Sequence, residues 1–431
     1  MQNEEIQAAI EELLQHVPDA RPAFEPGKTP IPASGKVVGK EEKALMVEAA
    51  LDGWLTTGRF NDAFEAALGD FLGAKHVLTV NSGSSANLVA FSALTSPRWG
   101  KRAIRPGDEV ITAAAGFPTT IAPIMQFGAI PVFVDVDADT WNVDVDAVAR
   151  AITPRTKAVM LAHTLGVPFD AERLAALCRE RGIWLVEDCC DALGARWNGR
   201  LTGSFGDIAT LSFYPAHHIT TGEGGAVFTS NDELAQIAES FRDWGRHCHC
   251  RPGQDNACGR RYSGQYGELP EGYDHKYVYA HAGYNLKMTD LTAACGLAQM
   301  RRLPGFIEKR KQNYAYLHNG LAGCAHLRFP VTPEQADPSW FGLPVILKES
   351  APCSRVDFLK ALNRRRIGTR LMFAGNAVRQ PFMEGRPYRV ADVLTQTDLI
   401  MERGLWLGVW PGLSQEMLDY VIGSVQAILS A

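Results

Sequence analysis

Of the nine cysteines in this 431-residue chain, three fall within eleven positions: Cys248-His-Cys250, then seven residues, then Cys258. Thiolates so closely spaced are soft ligands suited to an iron–sulfur cluster or zinc, and such a site needs a fourth ligand from elsewhere. Buried unligated thiols are the alternative for the same residues. A second loaded stretch is Ser212-Phe-Tyr214-Pro-Ala-His217-His218. Its imidazoles can take and give protons near neutral pH but offer no primary amine. No lysine occurs between Lys157 and Lys276.

Other groups could hold a flat, phosphorylated molecule. Asn81-Ser-Gly83-Ser84-Ser85 is expected at a strand-to-helix turn, where free N–H groups and hydroxyls either cradle a phosphate or simply cap the helix. Ser212 is a further phosphate donor. Asp188, ending the apolar run Ile183–Asp188, can pair with a pyridinium nitrogen or cap the next helix. Phe117 can stack on a ring or pack in the core. Cys190, two residues beyond Asp188, is the expected fourth thiolate. Cys189 is the alternative, although it points the other way if the segment is extended. Asp191 and Tyr214 are candidates to orient His217 or a substrate. Arg370 and Arg379 can meet a diphosphate or be structural, and His163 is equally ambiguous. Cys178, Cys295, Cys324 and Cys353 lie in apolar contexts and read as core.

The elements that must position these groups alternate in type. Short β-rich runs at 76–80, 109–112, 130–135, 158–163 and 183–188 are separated by helix-length segments, which predicts a mainly parallel sheet covered on both faces. Functional groups in such folds gather at the carboxyl ends of the strands. A helix (Glu4–His16) and a Pro-rich strap (22–32) precede this region, so the expected divisions are 1–40, a large domain at 41–305 and a smaller α/β domain at 306–431. The 244–280 stretch, rich in Gly, Cys, His, Tyr and Arg, reads as a long ordered functional loop, and a helix is expected near 288–311. Net charge is −5 with 46% hydrophobic and 21% charged residues, ordinary for a globular chain and unsuited to nucleic acid. No signal peptide or membrane-length apolar run is visible, so a cytoplasmic location with reduced thiols is expected.

In order and spacing these motifs, with Gly53-Trp-Leu-Thr-Thr-Gly58, Gly222-Glu-Gly-Gly225 and Gly283-Tyr-Asn285-Leu-Lys-Met-Thr-Asp290, resemble the DegT/DnrJ/EryC1 family of pyridoxal-phosphate (PLP) sugar aminotransferases. The resemblance runs from about Gly39 to the C-terminus. It implies the aspartate-aminotransferase fold (PLP fold type I) and a homodimer, with Asp188 at the pyridine nitrogen and Phe117 over the ring. It also implies Gly83, Ser84, Ser85 and Ser212 near the phosphate, and Asn285 reaching the partner's cofactor. His217 stands where that family carries the lysine that attaches PLP. The spacing C-x57-C-x-C-x7-C, together with that histidine, is similar to the CDP-4-keto-6-deoxyglucose 3-dehydrases. These use pyridoxamine phosphate (PMP) and a [2Fe–2S] cluster, with Cys190, Cys248, Cys250 and Cys258 as the matching ligands. The implied chemistry is loss of the C3 hydroxyl from a nucleotide-linked 4-keto-6-deoxyhexose. His217 is the implied base and acid, and electrons come from an NADH-dependent flavin/iron–sulfur reductase, or from ferredoxin or flavodoxin. A dTDP-4-keto-2,6-dideoxyhexose substrate is the alternative, as is an aminotransferase using Lys276 or Lys287, or a noncatalytic protein with structural zinc.

Overall fold

The computed structural model describes residues 2–18, 23–137 and 139–430. The strap's first residue, Pro22, lies outside them. Eight strands form the main sheet in the order His76–Val80, Gly225–Thr229, Ile208–Ser212, Trp184–Asp188, Thr156–Ala162, Glu109–Ala113, Ile130–Val134 and Arg389–Val390. Only Gly225–Thr229 runs against its neighbours; the other pairings are parallel. The sheet is therefore the mainly parallel one expected, in an α/β fold.

Alternation along Thr156–Ala162 explains why helices cover both faces. Val159 and Leu161 enter one apolar cluster with Val132, Val134 and Leu174. Ala158 and Met160 enter another, with Val89, Phe91 and Ile237 from the helices Gly83–Leu94 and Asp232–Arg242. Successive side chains leave a strand on opposite sides, so an uninterrupted apolar strand needs two partners. Each large apolar side chain so buried contributes about 1.5–3 kcal/mol.

The long helix Asp290–Leu321 is 32 residues, carries Pro304 inside it, and overruns the expected domain division at 305. Beyond it a four-stranded sheet orders Leu327–Arg328, Gly342–Leu347, Gly404–Gly408 and Thr369–Arg370 around its own core. The chain then returns Arg389–Val390 to the edge of the main sheet, where Arg389 binds the buried Glu109 at 2.8 Å. At the other end of the long helix, Asp290 accepts from Gly58 N at 2.9 Å and Asn61 N at 2.8 Å. This caps the helix Arg59–Leu72, which helps explain the Gly58 and Asp290 motifs: a Cβ on Gly58 would lie 2.8 Å from Asp290 Oδ2.

Between residues 244 and 280 the described regular structure is one short 3-10 turn, His275–Tyr277. Isolated bridges Asp243↔Asn285 and Arg246↔Tyr279 pin the two ends of this loop together. No helix of the described residues is long and apolar enough to cross a membrane.

Candidate active site

Asp188 and Ser212 stand at the carboxyl ends of adjacent parallel strands, with Asp188 in register with Thr210. Val80 and Ser212 both pair with Gly225 across the antiparallel strand, which brings the turn after Val80 to the same edge. In that turn Ser82 Oγ accepts from Ser85 N at 3.0 Å, and Ser85 Oγ donates to Asn81 Oδ1 at 2.6 Å. The capping reading of this stretch therefore holds for Ser82. Ser84 is left exposed at the first turn of the helix. A Cβ on Gly83 would stand 2.4 Å from Ser212 Cβ and 2.7 Å from its Oγ. Only glycine permits that approach, which places a hydroxyl beside the free N–H groups of a helix start. Such a cradle fits a phosphate.

Asp188 is 4% exposed and oriented on both oxygens. Oδ2 accepts from Asn87 Nδ2 at 2.8 Å and Thr120 Oγ1 at 2.7 Å; Oδ1 accepts from Cys190 N at 3.1 Å. Asn87 is fixed in turn by Thr210 Oγ1 at 2.7 Å. A buried carboxylate held this way is aimed rather than free, as pairing with a ring nitrogen requires. Phe117 opens the helix Pro118–Gln126 and is 47% exposed, with its edge against Phe373 at 5.7 Å. An aromatic left that open at the strand ends is available for stacking.

His217 follows the turn closed by its own N–H on Tyr214 O at 2.9 Å, and its ring packs on Phe341 at 5.1 Å. Nδ1 lies 3.4 Å from Asp191 Oδ1 without hydrogen-bond alignment, and is buried with no hydrogen-bond partner. Burial and then the Arg310 charge depress the imidazole to about 4, against a smaller upward pull from Asp188. Burial and then Asp188 push the Asp191 carboxyl well up, with Arg310 opposing. The facing pair is thus drawn to its uncharged forms, with one proton more than an unprotonated imidazole and carboxylate would carry.

Arg310 organises the turn from the long helix. It is fully buried and donates to His217 O at 2.8 Å, Ala216 O at 3.2 Å, Trp340 O at 3.2 Å and Phe341 O at 3.3 Å. Burial draws its guanidinium down to about 10. His218 is distinguished from His217 by position: it is 2% exposed and its Nε2 bonds Ser339 O at 2.9 Å. His163 is also structural, with Nε2 3.0 Å from buried Glu187 and its ring stacked on Phe169 at 4.0 Å. Tyr214 is 52% exposed and its side chain makes no hydrogen bond to His217 among the described contacts. Arg379 pairs with Asp398, whereas exposed Arg370 turns back to Thr369 O.

The cysteines fall into two places. Cys250 N donates to Cys248 Sγ at 3.4 Å, and Cys248 Sγ, Cys258 Sγ and a ring nitrogen of His275 all lie within 4.8 Å of one another. Burial holds the Cys248 thiol up. For Cys250 burial acts the same way, but the Cys258 N–H and the neighbouring thiols outweigh it and draw the thiol down. Cys190 is not in this group; its thiol stays beside Asp188 and Asp191, pushed up by burial and then by Asp188. Cys189 is buried and directed at Glu187 O, 3.8 Å away. Cys178 and Cys295 are core, and Cys324 and Cys353 are partly buried against it. His249 faces Glu239 at 3.3 Å. Sequence reasoning missed His275, Arg310, Thr120 and Asn87.

The two lysines weighed as substitutes are engaged elsewhere. Lys276 pairs with Asp255. Lys287 Nζ lies 3.4 Å over the Trp244 ring and donates to Asn285 Oδ1 at 2.7 Å. Burial brings its amine down to about 8. Asn285 itself is exposed.

The lipopolysaccharide biosynthesis protein RfbH of Salmonella typhimurium is 57% identical over 404 residues, 94% of this chain and 92% of that protein. The dTDP-4-dehydro-2,6-dideoxy-D-glucose 3-dehydratase of Saccharopolyspora spinosa is 50% identical over 410 residues, covering 95% and 89%. The structure of E. coli GDP-4-keto-6-deoxy-D-mannose-3-dehydratase with bound hydrated PLP superposes with TM-score 0.82 at 26% identity, covering 91% and 98%. Residues 37–426 match the model of the DegT/DnrJ/EryC1/StrS aminotransferase family, and the chain belongs to that family.

Proposed function

We propose that this chain is a PMP-dependent, iron–sulfur 3-dehydrase acting on a nucleotide-linked 4-keto-6-deoxyhexose, with the CDP-linked 6-deoxyglucose derivative as substrate. The observation that carries the reading is His217, a mostly buried imidazole whose buried, unpartnered Nδ1 faces Asp191 where an amine would be needed for transamination. The similar 3-dehydratases of dTDP-linked and GDP-linked 4-keto sugars support the same class of substrate, and the RfbH relative supports a place in lipopolysaccharide biosynthesis.

The residues fit the cofactor. Gly83, Ser84, Ser85 and Ser212 would hold its phosphate, Phe117 its ring face and Asp188 its ring nitrogen. When bound, PMP supplies an amine for the sugar ketone and an electron-withdrawing ring. Asp188, held by Asn87 and Thr120, keeps a proton on that ring nitrogen. His217 takes a proton at the cofactor methylene and returns one to the departing C3 oxygen. Being neutral, its imidazole is competent for the first task at pH 7. Asp191, 3.4 Å from Nδ1, would orient the ring as the imidazole gains its proton. No lysine amine stands here to compete for the sugar ketone, so amino transfer is suppressed.

Cys248, Cys250 and Cys258 would hold a [2Fe–2S] cluster that passes single electrons from an external NADH-dependent flavin/iron–sulfur reductase, ferredoxin or flavodoxin; Cys190, proposed as its fourth thiolate, stands apart from the other three in this chain. The working unit is a cytoplasmic homodimer in which Asn285 serves the partner's site. The 50% identical dehydratase favours a second reading, a dTDP-linked 2,6-dideoxy substrate. Incubating the reconstituted protein with each 4-keto sugar, NADH and a reductase decides. Formation of a 3-deoxy product supports the dehydrase, and its nucleotide identifies the substrate. An amino sugar formed with glutamate as donor would overturn the reading.

A further inference from the structure

His275 stands seventeen residues beyond Cys258, and the folded loop returns it to that thiol. Its Nδ1 lies 3.8 Å from Cys258 Sγ. Its Nε2 lies 2.7 Å from Nδ1 of His247, the residue immediately before Cys248. Tyr266 lies parallel to the His275 ring, 5.1 Å away and tilted only 2°, so the ring plane is held. The backbone is fixed as well: His275 N donates to Arg261 O at 2.7 Å, and Asp274 caps the short turn that carries it. At 7% exposed, His275 is screened from solvent while it touches the cysteine cluster.

A neutral imidazole has one donor and one acceptor nitrogen. If His247 Nδ1–H donates to His275 Nε2, then Nδ1 of His275 must carry the hydrogen and can offer it to sulfur. In that tautomer the two rings form a directed chain ending on Cys258. We propose that His275 is a positioning residue of the cluster: it donates a hydrogen bond to the Cys258 thiolate, with its tautomer set by His247, and so raises the cluster's reduction potential. The physical reason is charge. One-electron reduction adds a negative charge to the cluster, and a hydrogen bond to a ligating sulfur stabilises the more negative state. No atom is transferred by His275; the electron comes from the external reductase.

This inference rests on the iron–sulfur reading above, and its test separates the two. The holoenzyme, reconstituted anaerobically with iron and sulfide, is titrated with dithionite and mediators while its EPR signal is followed. His275→Phe keeps the stack on Tyr266 but loses the donor, so its potential becomes more negative at unchanged iron and sulfide content. His275→Asn, which retains an N–H near Nδ1, recovers part of the shift. An unchanged potential in His275→Phe with a full cluster would overturn this role alone. In the unsubstituted holoenzyme, pulsed EPR shows only weak nitrogen coupling plus an exchangeable hydrogen at the cluster. A strongly coupled nitrogen, which would make His275 a ligand, overturns the proposal even if the variants fail to fold. A protein that takes up no iron removes the cluster and this role together.

Discussion

His217 should make the cofactor-free fold acid-sensitive in a way that its removal cures. The imidazole lies near 4 in the folded chain against 6.5 unperturbed, chiefly because of burial. A depressed folded value means that the unfolded chain binds the proton first. The stability gained from a neutral ring is complete above about 6.5 and is lost as pH falls through 4. At pH 4.5 the linkage relation gives about 2.5 kcal/mol lost on account of this one group, against a few tenths at pH 7. His218, also pushed down by burial, works in the same direction, and Asp191, pushed up, works against it. Both remain in His217→Gln, so comparison of the two proteins isolates His217. Urea unfolding at pH 7 and pH 4.5 should show the unsubstituted protein losing about 2 kcal/mol more than the variant. An equal loss would refute the reasoning. A smaller loss would mean that the ring is charged and paired with Asp191 in the folded chain.

Three further outcomes follow from the same geometry. Arg310→Met strands four buried carbonyls and should cost about 3–5 kcal/mol in chemical unfolding; a loss under about 1 kcal/mol would deny Arg310 its place in the turn. Gly83→Ala forces a methyl against Ser212 and should cost about 1–3 kcal/mol of overpacking while weakening PMP in an absorbance titration. Unchanged PMP affinity would remove the phosphate cradle. His217→Lys places a primary amine at this position, so borohydride should fix PLP covalently, read as a mass increase; no increase would show that residue 217 does not reach the cofactor.

The sheet was legible because its strands are apolar, β-rich and evenly spaced. His76–Val80 matches its expected span, and Trp184–Asp188 and Thr156–Ala162 agree within two residues. Ile208–Ser212 and Gly225–Thr229 escaped notice because their Thr, Ser, Ala and Gly content conceals full burial. Thr210 is tolerated there because its hydroxyl bonds Asn87. Asp188 was readable from its place at the end of an apolar run, whereas Ser212 was picked out only by its nearness to His217, the strand that ends on it having been missed. Arg310 was not readable, since an arginine on a long helix reads as a solvated face, and its four carbonyl partners lie far off in sequence. His275 was hidden for a similar reason: only loop closure brings it to Cys258. The sequence expectation that Cys190 joins the other three thiols draws no support from the single chain, in which the two places are separate.

The most direct test of the account is the visible spectrum of protein purified without oxygen, with iron and acid-labile sulfide counted per chain. The account predicts a brown protein, bleached by dithionite, with about two irons and two sulfides, and loss of that colour in Cys250→Ala. A colourless protein that still binds PMP, and that holds zinc or no metal after anaerobic reconstitution, would contradict it.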